Sequence, residues 1–378
     1  MAQKRGNGEG SIGQYRGRWI SRMTLPDGRR KAIYGSTRAE VAQKLAAALR
    51  DRDAGIPALN EQTTVGSFLL QWLDKSVKVR NRPSTIRSYT GHVHGHLLPA
   101  LGKKSLARLT PEDVEAFMED KLATGLTAAT VNRIRSTLRR ALAIAQKQGL
   151  VTRNAAGQAD APSVKPKHFE TLTADQARAF LDIIHGHRME ALFVVAITTG
   201  LRQGELLGLK WQDVDFAQRR LSVLRAVQRV NGTLTMVETK TTRSRRTLAL
   251  SPSALSQLQA ERDRQRGKAN PDGSPWNPLE LVFPGPSGMP QDGGNVTRKF
   301  QKVLCDGGLP KIRFHDLRHT CASLLLAQGT NMRVIMEQLG HSQISLTMNT
   351  YSHVMIEALD DAASRMESIL TGGKSAGT

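Results

Sequence analysis

Two segments in the second half of the chain hold pairs of polar residues that could bind an anionic group. Arg202 and Glu205 lie three residues apart, on one face of a predicted helix that follows Gly200. His315 and Arg318 have the same spacing and open another predicted helix, whose N-terminus favours an anion. Taken alone, the first pair also fits a surface salt bridge, and the second pair fits a capping histidine beside a solvated arginine.

A third segment, Leu-Gly-His-Ser at 339–342, precedes Tyr351 by ten residues counted from His341. The order along the chain is arginine, a lysine in a predicted hairpin (Lys240), His-x-x-Arg, Leu-Gly-His and tyrosine. This ordered set resembles the signature of the tyrosine recombinases, the phage-integrase family. The resemblance covers about residues 170–370 and extends over most of the remaining chain through the domain layout.

The resemblance implies roles for the arginines and the tyrosine. Arg202 and Arg318 would form a permanently charged clamp on the nonbridging oxygens of a phosphodiester, which gain negative charge under attack. Tyr351 would be the nucleophile, because a phenol can attack phosphorus and later leave, conserving bond energy in a 3′-phosphotyrosyl link. Glu205 is expected to orient Arg202 or to pack its helix, and His319 is expected to support the pocket.

The resemblance assigns proton handling to a lysine and two histidines. Lys240 would protonate the leaving 5′ oxygen, and it is the only lysine within residues 211–267. A contact with the DNA backbone is the simpler alternative for this lysine. His315 and His341 would bind phosphate and handle protons, because the pKa of an imidazole lies near neutrality. Which of the two histidines moves the proton stays open.

The composition favours a nucleic-acid partner. The 378 residues carry 54 Lys and Arg against 33 Asp and Glu, a net charge of +21 with a sequence pI near 10.5. DNA is favoured over an anionic membrane because the basic residues are spread through periodic segments without a Trp- or Phe-rich amphipathic helix. The longest apolar run, 191–197, is shorter than the roughly 18–20 residues that span a bilayer. With two cysteines and no secretory signal, a cytoplasmic, nucleoid-associated protein of a bacterial host is expected.

Two clusters resemble metal ligands but have simpler interpretations. Asp213 and Asp215 follow a predicted helix and are expected to form a turn. His92, His94 and His96 alternate within a helical region, so their side chains do not converge. Because the recombinase mechanism implied by the resemblance is a transesterification without metal or ATP, we expect no metal and no cofactor.

The chain divides into regions of different composition and periodicity. Three predicted strands and a helix from Arg38, with a capping box at Ser36, Thr37 and Glu40, indicate a small α+β domain. It resembles an arm-type DNA-binding domain, although charged strand edges that only prevent aggregation are an alternative. An all-α, core-binding domain and a mixed, mainly helical catalytic domain of the tyrosine recombinase type follow. The predicted bounds are 1–56 for the arm-type domain, 63–151 for the helical domain, 152–168 for a linker, 169–370 for the catalytic domain and 371–378 for a flexible tail.

Basic residues in each of these regions are predicted to contact DNA. They are Arg16, Arg18, Arg22, Arg29, Arg30, Arg133, Arg135, Arg139, Arg140, Lys165, Lys167 and Arg243. A C-terminal helix at about 355–369 is predicted to dock on a neighbouring protomer, with packing on its own domain as the alternative.

The resemblance therefore implies an integrase of a temperate phage or another integrative element. Four protomers would hold core-type and arm-type attachment sites and exchange strands through a Holliday junction, with a host DNA-bending protein and an excisionase as further candidate partners. A type IB-like topoisomerase, which relaxes DNA without joining sites, is the alternative with the same chemistry. A noncatalytic DNA-binding regulator on the same fold is the alternative from another class.

Overall fold

A computed structural model of the chain describes residues 11–24, 28, 30–53, 62–164, 170–230, 232–238, 245–340, 366–367 and 370. The chain divides into two units, Met1–Pro166 and Lys167–Thr378. The predicted C-terminal helix at 355–369 and the tail at 371–378 lie outside the described residues, apart from 366–367.

The first unit begins with an antiparallel sheet of β1 (Ser11–Tyr15), β2 (Arg18–Thr24) and β3 (Arg30–Gly35), followed by α1 (Arg38–Asp53). Positive φ angles at Arg16 and Gly17 make the two-residue turn between β1 and β2, whose twist suits a hairpin. The predicted cap is present with one change of partner: Thr37 Oγ1 accepts from the Glu40 amide at 3.1 Å, and the Glu40 carboxylate accepts from the amide of Ser36 at 2.8 Å and not from that of Thr37. The predicted sheet and helix are therefore confirmed.

Helices form the remainder of the first unit. They are α2 (Val65–Trp72), α3 (Lys78–Arg80), α4 (Pro83–His92), α5 (Leu98–Leu101), α6 (Pro111–Ala123), α7 (Ala128–Lys147) and α8 (Ala155–Gln158), with π-helical turns at Leu73–Val77 and Val93–Leu97 and a 3₁₀ turn at Leu106–Arg108. Thr110 and Asp113 form a capping box around Pro111, which fixes the start of α6. Along α7, Val131, Ile134 and Leu138 repeat at helical spacing and are buried in the core of this unit.

The predicted linker at 152–168 starts too early. Ala155 and Ala156 in α8 are buried in the helical core, and the Pro162 carbonyl accepts from Asn132 Nδ2 at 2.8 Å. The alanines, glycine and prolines of this stretch resemble a linker in composition, but small side chains also allow a short helix to pack closely. Residues 165–169 lie outside the described part of the chain.

The second unit combines helices with short antiparallel strands. Its elements are α9 (Ala174–Ile183), α10 (Glu190–Thr199), α11 (Gln203–Leu207), β4 (Val214–Asp215), β5 (Arg220–Val223), β6 (Arg225–Val230), β7 (Thr233–Glu238), β8 (Arg246–Ala249), α12 (Pro252–Gln265), α13 (Gly293–Asp306), α14 (Asp316–Ala327) and α15 (Met332–Leu339). Strands β4, β5 and β8 form one sheet, and β6 pairs with β7. The predicted mixed, mainly helical domain is confirmed.

The apolar run at 191–197 lies in α10, which is buried on every side. Phe193 of this helix contacts the rings of Phe180, Phe300 and Phe314. Because α10 lies at the centre of the core, it is a rigid support for the residues that follow it in the sequence. No helix within the described residues is long and apolar enough to span a membrane.

Candidate active site

Arg202 and Glu205 meet just after the end of α10. Gly200 ends that helix with φ +65°, and a Cβ at this position would lie 2.5 Å from Leu339 Cδ2, so glycine allows α15 to approach closely. The Glu205 carboxylate accepts from Arg202 Nη1 at 2.8 Å and from the Arg202 amide at 3.1 Å. Glu205 is only 4% exposed, so this pair is partly buried, and the surface salt bridge expected for the isolated pair is wrong.

A second guanidinium, from Arg246, holds the same carboxylate. Arg246 Nη2 lies 2.9 Å from Glu205 Oε2, and the Arg246 side chain is 7% exposed. Burial alone would raise the pKa of the Glu205 carboxyl, but the hydrogen bond and charge of Arg246, with those of Arg202, lower that pKa below its ordinary value. Glu205 is therefore an anion that links two arginines.

Sequence reasoning missed Arg246, although β8 carries a signal for it. Arg246 and Leu248 are two residues apart and so point to the same face of the strand, and Leu248 is buried. An arginine at an inward-facing strand position requires a buried partner, which is the Glu205 carboxylate here.

Arg318 is a buried residue of α14. It is 2% exposed, and its Nη1 and Nη2 donate to the carbonyls of Gly200 at 2.8 Å and Leu339 at 2.5 Å. A solvated arginine, the alternative drawn from spacing alone, is therefore wrong. His315, the residue before α14, is the N-cap residue of that helix.

The rings of His315 and His319 meet edge to face, with centroids 5.3 Å apart. Burial lowers the pKa of His315, and the charge of Arg318 lowers it further. Burial also lowers the pKa of His319, to about 4, with a further contribution from His315. Neutral imidazoles at physiological pH can each donate and accept a hydrogen bond, as a phosphate-binding or proton-transferring group requires.

The C-terminal end of α15 joins these segments through successive backbone carbonyls. Arg246 Nε donates to the Gln338 carbonyl at 2.7 Å, Arg318 Nη2 to the Leu339 carbonyl at 2.5 Å, and Arg202 Nη2 to the Gly340 carbonyl at 3.2 Å. The partial negative charge of a helix C-terminus favours guanidinium donors. Gly340 caps the helix with φ +67°, and His341 follows it directly in the sequence. The arginines thus fix the backbone that leads into His341.

Several predicted site residues lie outside the described part of the chain. They are Lys240, His341, Tyr351, Arg243, Arg29, Lys165 and Lys167. Among the described strands, β6 pairs with β7 and β8 pairs with β5, and the hairpin turn predicted around Lys240 lies outside the described residues.

Three of the predicted DNA-contacting arginines lie on one face of the sheet. Arg18, Arg22 and Arg30 are exposed on the side opposite α1, which packs on Met23 and Ile33. Tyr15 and Tyr34 share that open face and are 50% and 52% exposed. Arg16 lies at the adjoining turn with its guanidinium 5.5 Å from the centre of the Tyr15 ring.

On α7, Arg133, Arg139 and Arg140 are exposed. Arg135 differs from them because its Nη1 donates to the Ala156 carbonyl at 2.8 Å and to the Ala159 carbonyl at 3.0 Å. These bonds fasten α8 to α7, so Arg135 has a structural role that helical spacing did not reveal.

The candidate metal ligands have other contacts. Asp213 accepts from the Lys210 amide and pairs with Arg225, and Asp215 accepts from the Gln218 amide, as the turn interpretation predicts. His92 Nδ1 lies 2.7 Å from Thr137 Oγ1. Within the part of the chain that the structure describes, no three His, Cys, Asp or Glu side chains converge as metal ligands.

Two protein-family models match this sequence. The phage integrase family matches residues 170–357, and the N-terminal SAM-like domain of phage integrases matches residues 69–149. An integrase of Streptomyces ambofaciens is 31% identical, with 99% of each chain covered. A XerC-like tyrosine recombinase of Caldanaerobacter subterraneus is 29% identical, with 91% of this chain and 97% of the relative covered.

Solved structures of low sequence identity share the fold. The Tn1549 transposon integrase in complex with transposon right end DNA is 22% identical with a TM-score of 0.69, covering 81% of this chain and 100% of that chain. A lambda integrase tetramer bound to a Holliday junction is 20% identical with a TM-score of 0.57, covering 90% of this chain and 98% of that chain.

Proposed function

This chain belongs to the phage integrase family of tyrosine recombinases, and we propose that it integrates and excises a phage or other mobile element at specific DNA sites. It breaks and rejoins DNA strands by phosphodiester transesterification. The observation that carries the proposal is the convergence of Arg202 and Arg318 on the backbone that leads into His341. Two fixed guanidiniums at one place suit an anionic phosphodiester.

In the proposed reaction, the oxygen of Tyr351 attacks the scissile phosphorus. The P–O bond to the 5′ oxygen breaks, and a 3′-phosphotyrosyl link and a free 5′-hydroxyl end remain. Arg202 and Arg318 stabilise the charge that develops on the nonbridging oxygens, since their donors are already oriented by carbonyls and by Glu205. Because the phosphoryl bond is conserved in the ester, a second 5′-hydroxyl can reverse the step without ATP.

We assign proton transfer to Lys240, His315 and His341. Lys240 donates a proton to the leaving 5′ oxygen. His315, with its lowered pKa, is neutral at physiological pH and binds a phosphate oxygen or accepts a proton. We assign the same two roles, phosphate binding and proton transfer, to His341 of the Leu-Gly-His segment.

The two DNA-facing surfaces of the first unit are proposed to bind different sites. The open face of the N-terminal sheet, with Arg18, Arg22 and Arg30, binds arm-type DNA. Between α4 and α7, a groove faces core-type DNA and is lined by Ser88, Tyr89, His92, Asn132, Arg133, Ser136 and Thr137.

Recombination then requires an assembly of four protomers on two duplexes. The lambda integrase, which shares the fold, has been solved as a tetramer bound to a Holliday junction. We place this chain in the same kind of assembly, at the nucleoid of a bacterial host, with the predicted helix at 355–369 docking on a neighbour. A host DNA-bending protein and an excisionase are proposed as further partners.

A covalent-capture experiment followed by a plasmid assay tests the function. The protein is incubated with nicked duplexes that carry randomised inverted repeats, without metal or ATP, and the covalently attached DNA is sequenced. The selected site is then placed on two plasmids. Joined plasmids are expected, because strand exchange between two sites is the proposed reaction. Relaxed circles without joining would contradict it and indicate a topoisomerase, and DNA binding without any adduct would indicate a noncatalytic regulator.

The arm-binding proposal predicts a selective loss of DNA binding. The double substitution Arg18→Gln and Arg22→Gln should weaken arm-site binding about tenfold or more. It should also lower the salt dependence, because each lost phosphate contact reduces the slope of the log binding constant against log salt concentration by about one. Core-site cleavage should be unchanged. Binding to a library of DNA fragments is measured for wild type, the double variant and a deletion of residues 1–56. The fragments that wild type binds and the deletion variant does not bind are the arm-type fragments.

Arg50→Gln is the matched control, since Arg50 is exposed on α1 and lies away from the open face of the sheet. It removes a charge from the same domain and should keep arm-site binding. If deleting residues 1–56 abolishes all DNA binding, the division into arm-binding and core-binding surfaces is wrong.

A further inference from the structure

Arg246 is a buried cation that the recombinase motif does not include. It is the first residue of β8, six residues after Lys240 in the sequence, and its side chain is 7% exposed. Burying a guanidinium is costly unless charged and polar partners surround it. Its partners identify what it does.

The guanidinium of Arg246 bridges two elements that belong to the pocket. Nη2 lies 2.9 Å from Glu205 Oε2 in α11, and Nε donates to the Gln338 carbonyl at the end of α15 at 2.7 Å. A planar guanidinium has donors in fixed directions, so a single side chain can hold both partners at once. The ammonium of a lysine is a point donor and lacks this geometry.

Each partner of Arg246 in turn fixes a residue of the proposed clamp. Glu205 accepts two hydrogen bonds from Arg202, so its orientation determines where the Arg202 guanidinium lies. The Gln338 carbonyl is followed by the carbonyls of Leu339 and Gly340, which accept from Arg318 and Arg202. Arg246 is therefore connected to both clamp arginines without being one of them.

We propose that Arg246 is a positioning residue of this recombinase, which holds Arg202 through Glu205 and the backbone before His341 through Gln338. The inference rests on the proposed function. Arg246 acts on the reaction through the orientation of the clamp. A displacement of about 1 Å in such a clamp can cost about a hundredfold in rate.

The test compares two substrates that differ only in the charge of the scissile group. Cleavage by Arg246→Lys and Arg246→Gln is measured on a core-site phosphodiester and on the same site with a neutral methylphosphonate at the scissile position. On the phosphodiester, both variants should cleave about tenfold to a hundredfold more slowly than wild type. On the methylphosphonate the deficit should shrink to within about threefold, because the oriented clamp has less developing charge to stabilise.

Matched variants separate positioning from folding. Arg225→Lys alters another arginine that pairs with a buried carboxylate, Asp213, and any deficit it causes should be equal on both substrates. Arg202→Lys should show the charge-dependent deficit most strongly. Glu205→Gln should behave like Arg246→Gln, since Arg246 acts through that carboxylate.

Equal slowing of the Arg246 variants on both substrates would overturn the inference, because that result marks a lower fraction of folded protein. Unchanged cleavage of the phosphodiester by Arg246→Lys and Arg246→Gln would overturn it as well. Wild-type protein that forms no adduct on any site would instead refute the proposed function, so the two failures are distinguishable.

Discussion

Arg318→Lys is expected to slow covalent cleavage of core-site DNA about a hundredfold to a thousandfold. The guanidinium of Arg318 is held by the carbonyls of Gly200 and Leu339, so its orientation is fixed before the phosphate arrives. A lysine keeps the charge but cannot hold both carbonyls and the phosphate together. The rate of adduct formation at saturating DNA measures the effect, with binding of uncleaved DNA measured in parallel.

The same substitution should also destabilise the protein. At least one buried carbonyl loses its donor, and an unsatisfied buried group costs about 1–3 kcal/mol in the free energy of unfolding. Urea denaturation provides this value, so the rate can be compared under conditions where the variant is folded. Arg178→Lys, at an exposed position on α9, should change neither quantity. Cleavage by folded Arg318→Lys within about threefold of the wild-type rate would show that Arg318 is not part of the clamp.

Tyr351→Phe is expected to abolish the covalent adduct completely. Phenylalanine keeps the ring but lacks the oxygen that attacks phosphorus, so no ester can form. Binding to core-site DNA and the free energy of unfolding should stay close to wild type, because the substitution removes one polar atom. Denaturing gel electrophoresis of protein mixed with labelled nicked duplex detects the adduct. An adduct of normal yield in the variant would assign the nucleophile to another residue.

Local patterns predicted most of the secondary structure. Residue alternation predicted the three N-terminal strands, and the capping box at Ser36 and Thr37 placed the start of α1. Both signals are local, so tertiary packing did not change them. The spacing of Arg202 and Glu205 predicted an ion pair between them but did not predict that the carboxylate is buried.

Contacts between distant segments could not be predicted in this way. The bridge from Arg246 to Glu205 and Gln338 joins elements far apart in sequence, and no period within β8 indicates which carboxylate it meets. The burial of Arg318 has the same origin, since its carbonyl partners come from the ends of α10 and α15. Composition misled at 152–162, where alanines that resemble a linker are buried in a helical core.

The most direct test of the account is to locate the DNA-linked residue by mass spectrometry. Wild-type protein is trapped on nicked core-site DNA without metal or ATP, and the adduct is digested with nuclease and trypsin. The chain has four tyrosines, and the tryptic peptide 334–365 contains only Tyr351. A nucleotide attached through its 3′-phosphate to Tyr351 is the predicted result. A nucleotide on any other residue, or no covalent link under conditions where the same DNA is bound, would contradict the proposed chemistry.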